Sequence, residues 1–324
     1  LNSVKYHYKH GFKGMAVNMD DLTLAKVRRL SNVKYIIPDG IGYGSAIQRN
    51  APWGLSRISH RNRQSKYETP EYLYDSNAGE GITIYVVDSG INTNHTDFGG
   101  RATWGVNKIA GTPDIDEHGH GTHCAGTAGS NTYGVAKKAK LVAVKVLNSR
   151  NQGTWSDIIA GVDWVVENAN PANSIISFSI GGNAYLPMDD AINYAYESGF
   201  FVSVAAMNDN RDACLVSPAR AKHSFTVGGS DIDDNKYLGS NWGRCVSILG
   251  PAVDVLSTYI GSNNATTYLT GTSMATPHIA GIAATFLSQG TKFADLKTKI
   301  LNTATKNAIN GFDPDTPNLL GYNG

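Results

Sequence analysis

ITIYVVDSG, residues 82–90, joins an almost unbroken apolar run to an aspartate, a serine and a glycine. β-Branched residues dominate the run, which predicts a strand buried on both faces that ends in a turn. Four further runs share the pattern: LVAVKVL (141–147), SIISFSI (174–180), FFVSVAA (200–206) and SFTVGG (224–229). Helical stretches separate them, TWSDIIAGVDWVVENA (154–169) being the plainest. That alternation predicts an α/β fold, doubly wound, with a mostly parallel sheet and helices on both faces. In such a sheet, reactive groups collect just beyond the carboxyl ends of the strands. Asp88 stands at one of those ends.

At 324 residues the chain can bury one large core and carry a small appendage. Hydrophobic residues at 41% and charged ones at 17% exclude a disordered chain. The 28 basic and 27 acidic residues are mixed, so no field gathers phosphate and no nucleic-acid partner is expected. No apolar run is long enough for a membrane span. The chain begins at Leu1 without a basic-then-apolar leader, so any targeting segment is expected to lie outside it. Asn94-His95-Thr96 and Asn264-Ala265-Thr266 are glycan acceptors if the protein crosses the secretory pathway, although such tripeptides are common by chance.

Residues 9–40 read as a small unit. GFKGMAV predicts a strand, DDLTLAKVRRL a helix with Leu22, Leu24, Val27 and Leu30 on one face and Asp20 as N-cap, and VKYII a second strand before Pro38-Asp39-Gly40 turns the chain. IGYGSAIQRN (41–50) reads as a linker.

Four places could carry chemistry. Asp88 alone is a turn aspartate, and the rival aspartic-protease reading of Asp-Ser-Gly needs a second such triplet, which is absent. EHGHGTHCAG (117–126) crowds His118, His120, His123 and Cys124 together, but the HExxH form of zinc hydrolases is missing and the glycines suit close approach to a strand better than a metal cage. LTGTSMATPHIAGIAATFLSQ (269–289) places Ser273 after a glycine turn at the start of a long apolar helix, with Pro277 expected in the first turn. A helix start carries roughly half a positive charge, which favours an alkoxide or oxyanion. VSVAAMNDN (202–210) offers the Asn208 amide at the same sheet edge. The order Asp, His, Asn, Ser is that of the serine triad and oxyanion amide of subtilisin.

VVDSGINTNHTDFGGR, GHGTHCAGTAGS, FSIGG, VAAMNDNRDAC and LTGTSMATPHIAG together resemble the catalytic blocks of the subtilisin-like serine proteases, in their proteinase K branch. APWGLSRISHR, YGVAKKAKLVAVKVL, SNWGRCV, LSTYIGS and DTPNLLGYNG carry the resemblance from about residue 51 to the C-terminus, nearest to yeast vacuolar members of that branch. It implies Ser273 as nucleophile, His120 as base, Asp88 as its partner and Asn208 as oxyanion donor, with His123 and Cys124 behind the base and His118 without a role. It implies a cleft in which peptide substrates add as a strand between Gly153-Thr154-Trp155 and Ser179-Ile180-Gly181, giving broad endopeptidase activity. Residues 1–43 resemble the later part of the family's inhibitory propeptide, leaving 44–324 as the peptidase domain. That implies a self-processing zymogen, cut between Gly40 and Asn50, whose partners are protein substrates and its own propeptide, and which is expected to be a monomer.

Cys214 and Cys245 match a pair that is bridged in related enzymes, leaving Cys124 as an odd, buried thiol. A disulfide implies an oxidising compartment, the vacuolar lumen or the cell exterior. Two departures stand out. Met207 replaces the glycine of the family's AAGN, a residue that forms part of the primary specificity pocket, so reduced activity or a shift toward small residues before the cut is expected. Ser247 stands where proteinase K has a calcium-ligating aspartate, so that strong site is expected to be lost, weaker calcium sites staying open, and no cofactor is required. The competing expectation is a weakly active or inactive homologue that binds peptides through the same cleft, with a zinc hydrolase a distant third.

Overall fold

A strand buried on both faces needs helices above and below it, and the computed structural model of this chain supplies them. It describes residues 2–39, 45–65 and 68–324, in two units, Leu1–Tyr43 and Gly44–Gly324. In the larger unit, nine strands share one sheet: β1 (Thr83–Asp88), β2 (Ala102–Asn107), β3 (Lys140–Lys145), β4 (Ser174–Phe178), β5 (Phe201–Ala205), β6 (Phe225–Ser230), β7 (Ile248–Pro251), β8 (Thr305–Lys306) and β9 (Leu319–Leu320). Their order is β8-β9-β7-β6-β5-β4-β1-β3-β2, and every neighbouring pair is parallel except β8 with β9 at the edge.

The alternation along β1 sorts the two cores. Ile84 and Val86 point to one face, where they pack with helices α1 (His120–Gly129) and α4 (Thr272–Ser288). Val87 points to the other, against α2 (Trp155–Asn168) and α3 (Leu186–Glu197). Helix α4 is buried from Met274 to Phe286 on all sides, as its apolar sequence without a polar face requires. Helix α2 is amphipathic and starts at Thr154, whose hydroxyl accepts from the Asp157 N–H at 3.2 Å.

All five expected strands form, and four more join them. β2 contains Gly105 and a register shift, and β7 ends in Gly250-Pro251, so neither shows the continuous β-branched signal. SIISFSI yields a strand only to Phe178, leaving Ser179-Ile180-Gly181 outside the ladder. Pro277 is the sixth residue of α4, not in the first turn as expected, so its missing N–H leaves the Ser273 carbonyl without the usual helical donor.

The smaller unit departs further from expectation. Ser3–Tyr8 pairs antiparallel with Gly14–Asn18, and the helix Asp21–Val27 follows, capped by Asp20 through a 2.7 Å bond from the Thr23 N–H. VKYII forms no ladder: the only described sheet of this unit is the two-stranded hairpin. Leu22 and Leu30 are 78% and 52% exposed, because one hairpin and two helical turns have little surface to cover them. The expected linker is half strand. Ser45–Arg49 pairs antiparallel with Glu71–Asp75, whereas 41–44 lie outside the described residues.

Candidate active site

The site assembles at the carboxyl end of β1. Asp88 is the strand's last residue and fully buried; its Oδ1 accepts from the Ser89 N–H at 2.7 Å. Its two oxygens lie 2.7 and 2.9 Å from His120 Nδ1, which fixes the proton on that nitrogen and leaves Nε2 as the basic lone pair. Burial alone would lower the imidazole's proton affinity, but the adjacent carboxylate outweighs it and holds His120 well above its ordinary 6.5.

The loop before His120 is drawn against the strand end. A Cβ on Gly121 would stand 2.2 Å from the Gly90 carbonyl, so only glycine permits this approach. Asp116, 5% exposed, ties both sides together. Its Oδ1 accepts from the Ser89 hydroxyl at 2.8 Å and the Gly119 N–H at 2.8 Å, and its Oδ2 from the Thr122 N–H and hydroxyl at 2.9 and 2.6 Å. Ser89 in turn accepts from the Gly121 N–H at 2.9 Å. Asp116 belongs to none of the motifs in the sequence, its one visible signal being an aspartate two residues before the histidine run.

The crowded histidines do not converge. His123 turns away to the Val255 carbonyl at 2.9 Å, and burial lowers it to about 4. His118 has a buried Nδ1 without a protein partner, and its ring lies 6.3 Å from that of His120. Asp88, His120 and Cys124 could together touch one ion, their ligand atoms lying within 4.8 Å of one another. Yet Asp88 spends both oxygens on His120, and burial pushes the Cys124 thiol up, away from the thiolate that zinc prefers.

Ser273 arrives from the other side, as the second residue of α4. Its orphaned carbonyl accepts from the Ser179 hydroxyl at 2.9 Å and from Cys124 Sγ at 3.4 Å, and Cys124 Sγ lies 4.0 Å from His120 Nδ1. Its hydroxyl donates to the Ser179 carbonyl at 3.3 Å and makes no hydrogen bond to His120 in this structure. The Ser273 N–H lies in the first helical turn, which has no carbonyl of its own to bond.

Asn208, exposed, follows β5. Its Oδ1 accepts from the Thr272 N–H at 2.8 Å and hydroxyl at 3.1 Å, which turns its Nδ2 donor outward. Thr272 also takes the Met207 N–H at 3.1 Å, so this threonine, which sequence reasoning missed, pins both residues. Met207 has φ +77°, the left-handed region that costs a residue with a Cβ roughly 1–2 kcal/mol. Its sulfur lies where a Gly181 side chain would begin, 2.5 Å from that position.

Gly153, Thr154 and Trp155 lead into α2, and Trp155 stacks on Tyr185 with ring centroids 5.6 Å apart. A Cβ on Gly182 would lie 3.1 Å from the Trp155 ring, so the Trp155 and Ser179–Gly181 segments are neighbours. Among the described residues, no backbone-to-backbone hydrogen bond engages Gly153 or Ser179–Gly181. Cys214 and Cys245 form a disulfide across 31 residues, and Cys124 is free and buried. Closing such a loop stabilises by roughly 3–4 kcal/mol in a chain-entropy account. Ser247 exchanges bonds with Thr226: its N–H donates to the Thr226 carbonyl at 2.8 Å and its hydroxyl accepts from the Thr226 N–H at 3.2 Å. No described helix is long and apolar enough to cross a membrane.

Comparison with known proteins bears on this geometry. Residues 79–322 match the Subtilase family, peptidase S8, and residues 1–42 match Peptidase inhibitor I9. A subtilisin-like serine protease of Rhodotorula mucilaginosa is 44% identical, over 94% of this chain and 96% of its own. Subtilisin-like protease 3 of Saccharomyces cerevisiae is 46% identical, over 86% of this chain and 63% of its own. A solved structure of a cold-adapted subtilisin-like serine proteinase superposes with a TM-score of 0.80 at 39% identity, covering 85% of this chain and 99% of the other.

Proposed function

The chain belongs to the subtilase family and is a serine-type endopeptidase, and from that premise we propose that it cuts protein substrates broadly through Asp88, His120 and Ser273. The observation that carries the assignment is the buried Asp88–His120 pair beside the start of the helix bearing Ser273. The Ser273 hydroxyl turns from the Ser179 carbonyl toward His120 Nε2, gives that nitrogen its proton, and its oxygen bonds to the scissile carbonyl carbon. The oxyanion is held by the Asn208 amide and the Ser273 N–H. His120 passes the proton to the leaving amine as the C–N bond breaks, and water, deprotonated by the same nitrogen, releases the acyl group. Backbone at Gly153 and Ser179–Gly181 that no other described main-chain group engages supports strand addition by the substrate, which reads main chain before side chains. A fluorophosphonate probe should label the enzyme, and labelling should vanish in Ser273→Ala; labelling that survives would sink the assignment.

Residues 1–42 carry an I9-type inhibitor, so the protein is made as a zymogen. We place self-cleavage within 40–44, because Ser45–Arg49 is held in a ladder that a protease would have to open. Purified Ser273→Ala chain maturing at that site as wild type does, with no other protease present, would exclude self-processing. Met207 favours a second reading, a weakly active or inactive peptide-binding homologue, and the same probe separates the two. The proposed calcium loss rests on Ser247, whose hydroxyl and N–H are already committed to Thr226. The disulfide supports the secretory pathway, ending in the vacuolar lumen or outside the cell. Asn94 and Asn264, both exposed in turns, are its proposed glycan acceptors; intact-mass analysis of protein from a eukaryotic secretory host, before and after glycosidase, reads their occupancy.

A further inference from the structure

Asn208 donates from an exposed turn, so something must hold that turn still. Thr272 grips one side of it, through Met207 and Asn208. The other side is gripped by a residue that no catalytic block contains. Asn241 is fully buried; its N–H donates to the Met207 carbonyl at 2.9 Å, and its side-chain Oδ1 accepts from both the Asp209 and Arg211 N–H groups at 3.0 Å. Two N–H donors converging on one atom settle which end of the amide faces the turn. The flanking backbone reinforces the contact, Asn210 donating to the Gly239 carbonyl at 2.9 Å and Trp242 to that of Arg211 at 3.1 Å. The grip closes over two residues in left-handed backbone, Met207 at φ +77° and Asn210 at φ +50°. Without glycine at 207 the turn is costly to keep, and it persists only where its surroundings over-determine it.

We infer that Asn241 is a positioning residue for the oxyanion site, acting through the turn Met207–Arg211 on the Asn208 amide. Main-chain pairing of the substrate uses Gly153–Trp155 and Ser179–Gly181 instead, and Met207 meets only the side chain before the cut, so with a substrate and inhibitors carrying Ala there the effect should fall on charge development and not on peptide affinity. This inference rests on the proposed endopeptidase mechanism, and its test separates the two.

A peptide aldehyde forms a tetrahedral adduct with Ser273 whose oxygen needs the oxyanion donors; the corresponding peptide alcohol binds the same cleft without one. In Asn241→Ala, normalised by active-site titration, the aldehyde should bind roughly tenfold more weakly and kcat should fall by a similar factor, a fraction of the ~10²–10³ that a direct oxyanion donor supplies. The alcohol's affinity and KM should stay within about twofold. Asn241→Asp keeps the acceptor and should recover part of the loss. In an Asn208→Ala background, Asn241→Ala should cost little more, because the group it positions is gone. Equal weakening of aldehyde and alcohol, an unchanged aldehyde affinity, or full additivity with Asn208→Ala would overturn the inference. A wild-type enzyme that the aldehyde fails to inhibit would instead overturn the endopeptidase mechanism on which it rests.

Discussion

The proposed cleft has two halves that are built differently, one proposed to transfer the proton and one to hold the oxyanion. The proton-transfer half sits on a strand end and a helix start inside the core: Asp88 is fully buried, and Asp116 and Ser89 knit its turn to the loop before His120. The oxyanion half sits on an exposed turn with left-handed Met207 and Asn210, held by Thr272 and Asn241. Anchoring by burial suits a pair of groups that must stay aligned while charge moves between them. A donor that must meet an incoming carbonyl has to remain at the surface, and its rigidity is borrowed from neighbours.

Asp88→Asn should have the largest effect, because it keeps the shape of the anchored half but offers the wrong hydrogen-bond partner to Nδ1. A fall in kcat of about 10⁴ is expected, with KM little changed; a loss below tenfold would mean that His120 is held by the fold and not by Asp88. Asn208→Ala should cost about 10²–10³ in kcat, read with the same peptide substrate. Met207→Gly tests the turn directly. It removes both the backbone penalty and the sulfur beside Gly181, so kcat/KM for substrates with Phe or Tyr before the cut should rise roughly tenfold relative to those with Ala. An unchanged preference in a residue-by-residue substrate profile would show that Met207 does not fill the pocket.

The smallest effect concerns pH and the layer behind the anchored half. Burial lowers His123 and His278 to about 4, so the unfolded chain binds more protons than the folded one between there and 6.5. Stability from these two should therefore fall as pH drops through that window, by on the order of 3 kcal/mol each at its acid end. His120 runs the other way: its raised value contributes stability at low pH that is lost as pH rises through its folded pKa. Melting of the inactive Ser273→Ala chain from pH 7 to 4 should show the net fall, and replacing His278 by Asn should flatten it.

Much of the anchored half was legible in the sequence, because β-branched runs that end in Asp or open into Gly-rich helices are local signals. Asp88, His120 and Ser273 could be placed at strand ends and helix starts before any coordinates. The borrowed contacts were not legible. Thr272 acts on a turn 64 residues away, and Asn241 on the same turn from 32 residues away, by hydrogen bonds that no periodicity announces. The strand missed at Ser45–Arg49 and the one wrongly expected over 33–37 have the same cause: a short strand exists only where another segment offers an edge.

Pro277 shows how a residue can contribute by withholding a bond. Restoring an N–H there, as in Pro277→Ala, would hand the Ser273 carbonyl a third suitor from within its own helix. The contest between that donor and Ser179 and Cys124 would then decide whether Ser273 belongs to its helix or to the cleft. By abstaining, the proline leaves the segment after β4 and the helix bearing His120 as the parties that set where Ser273, the proposed nucleophile, stands.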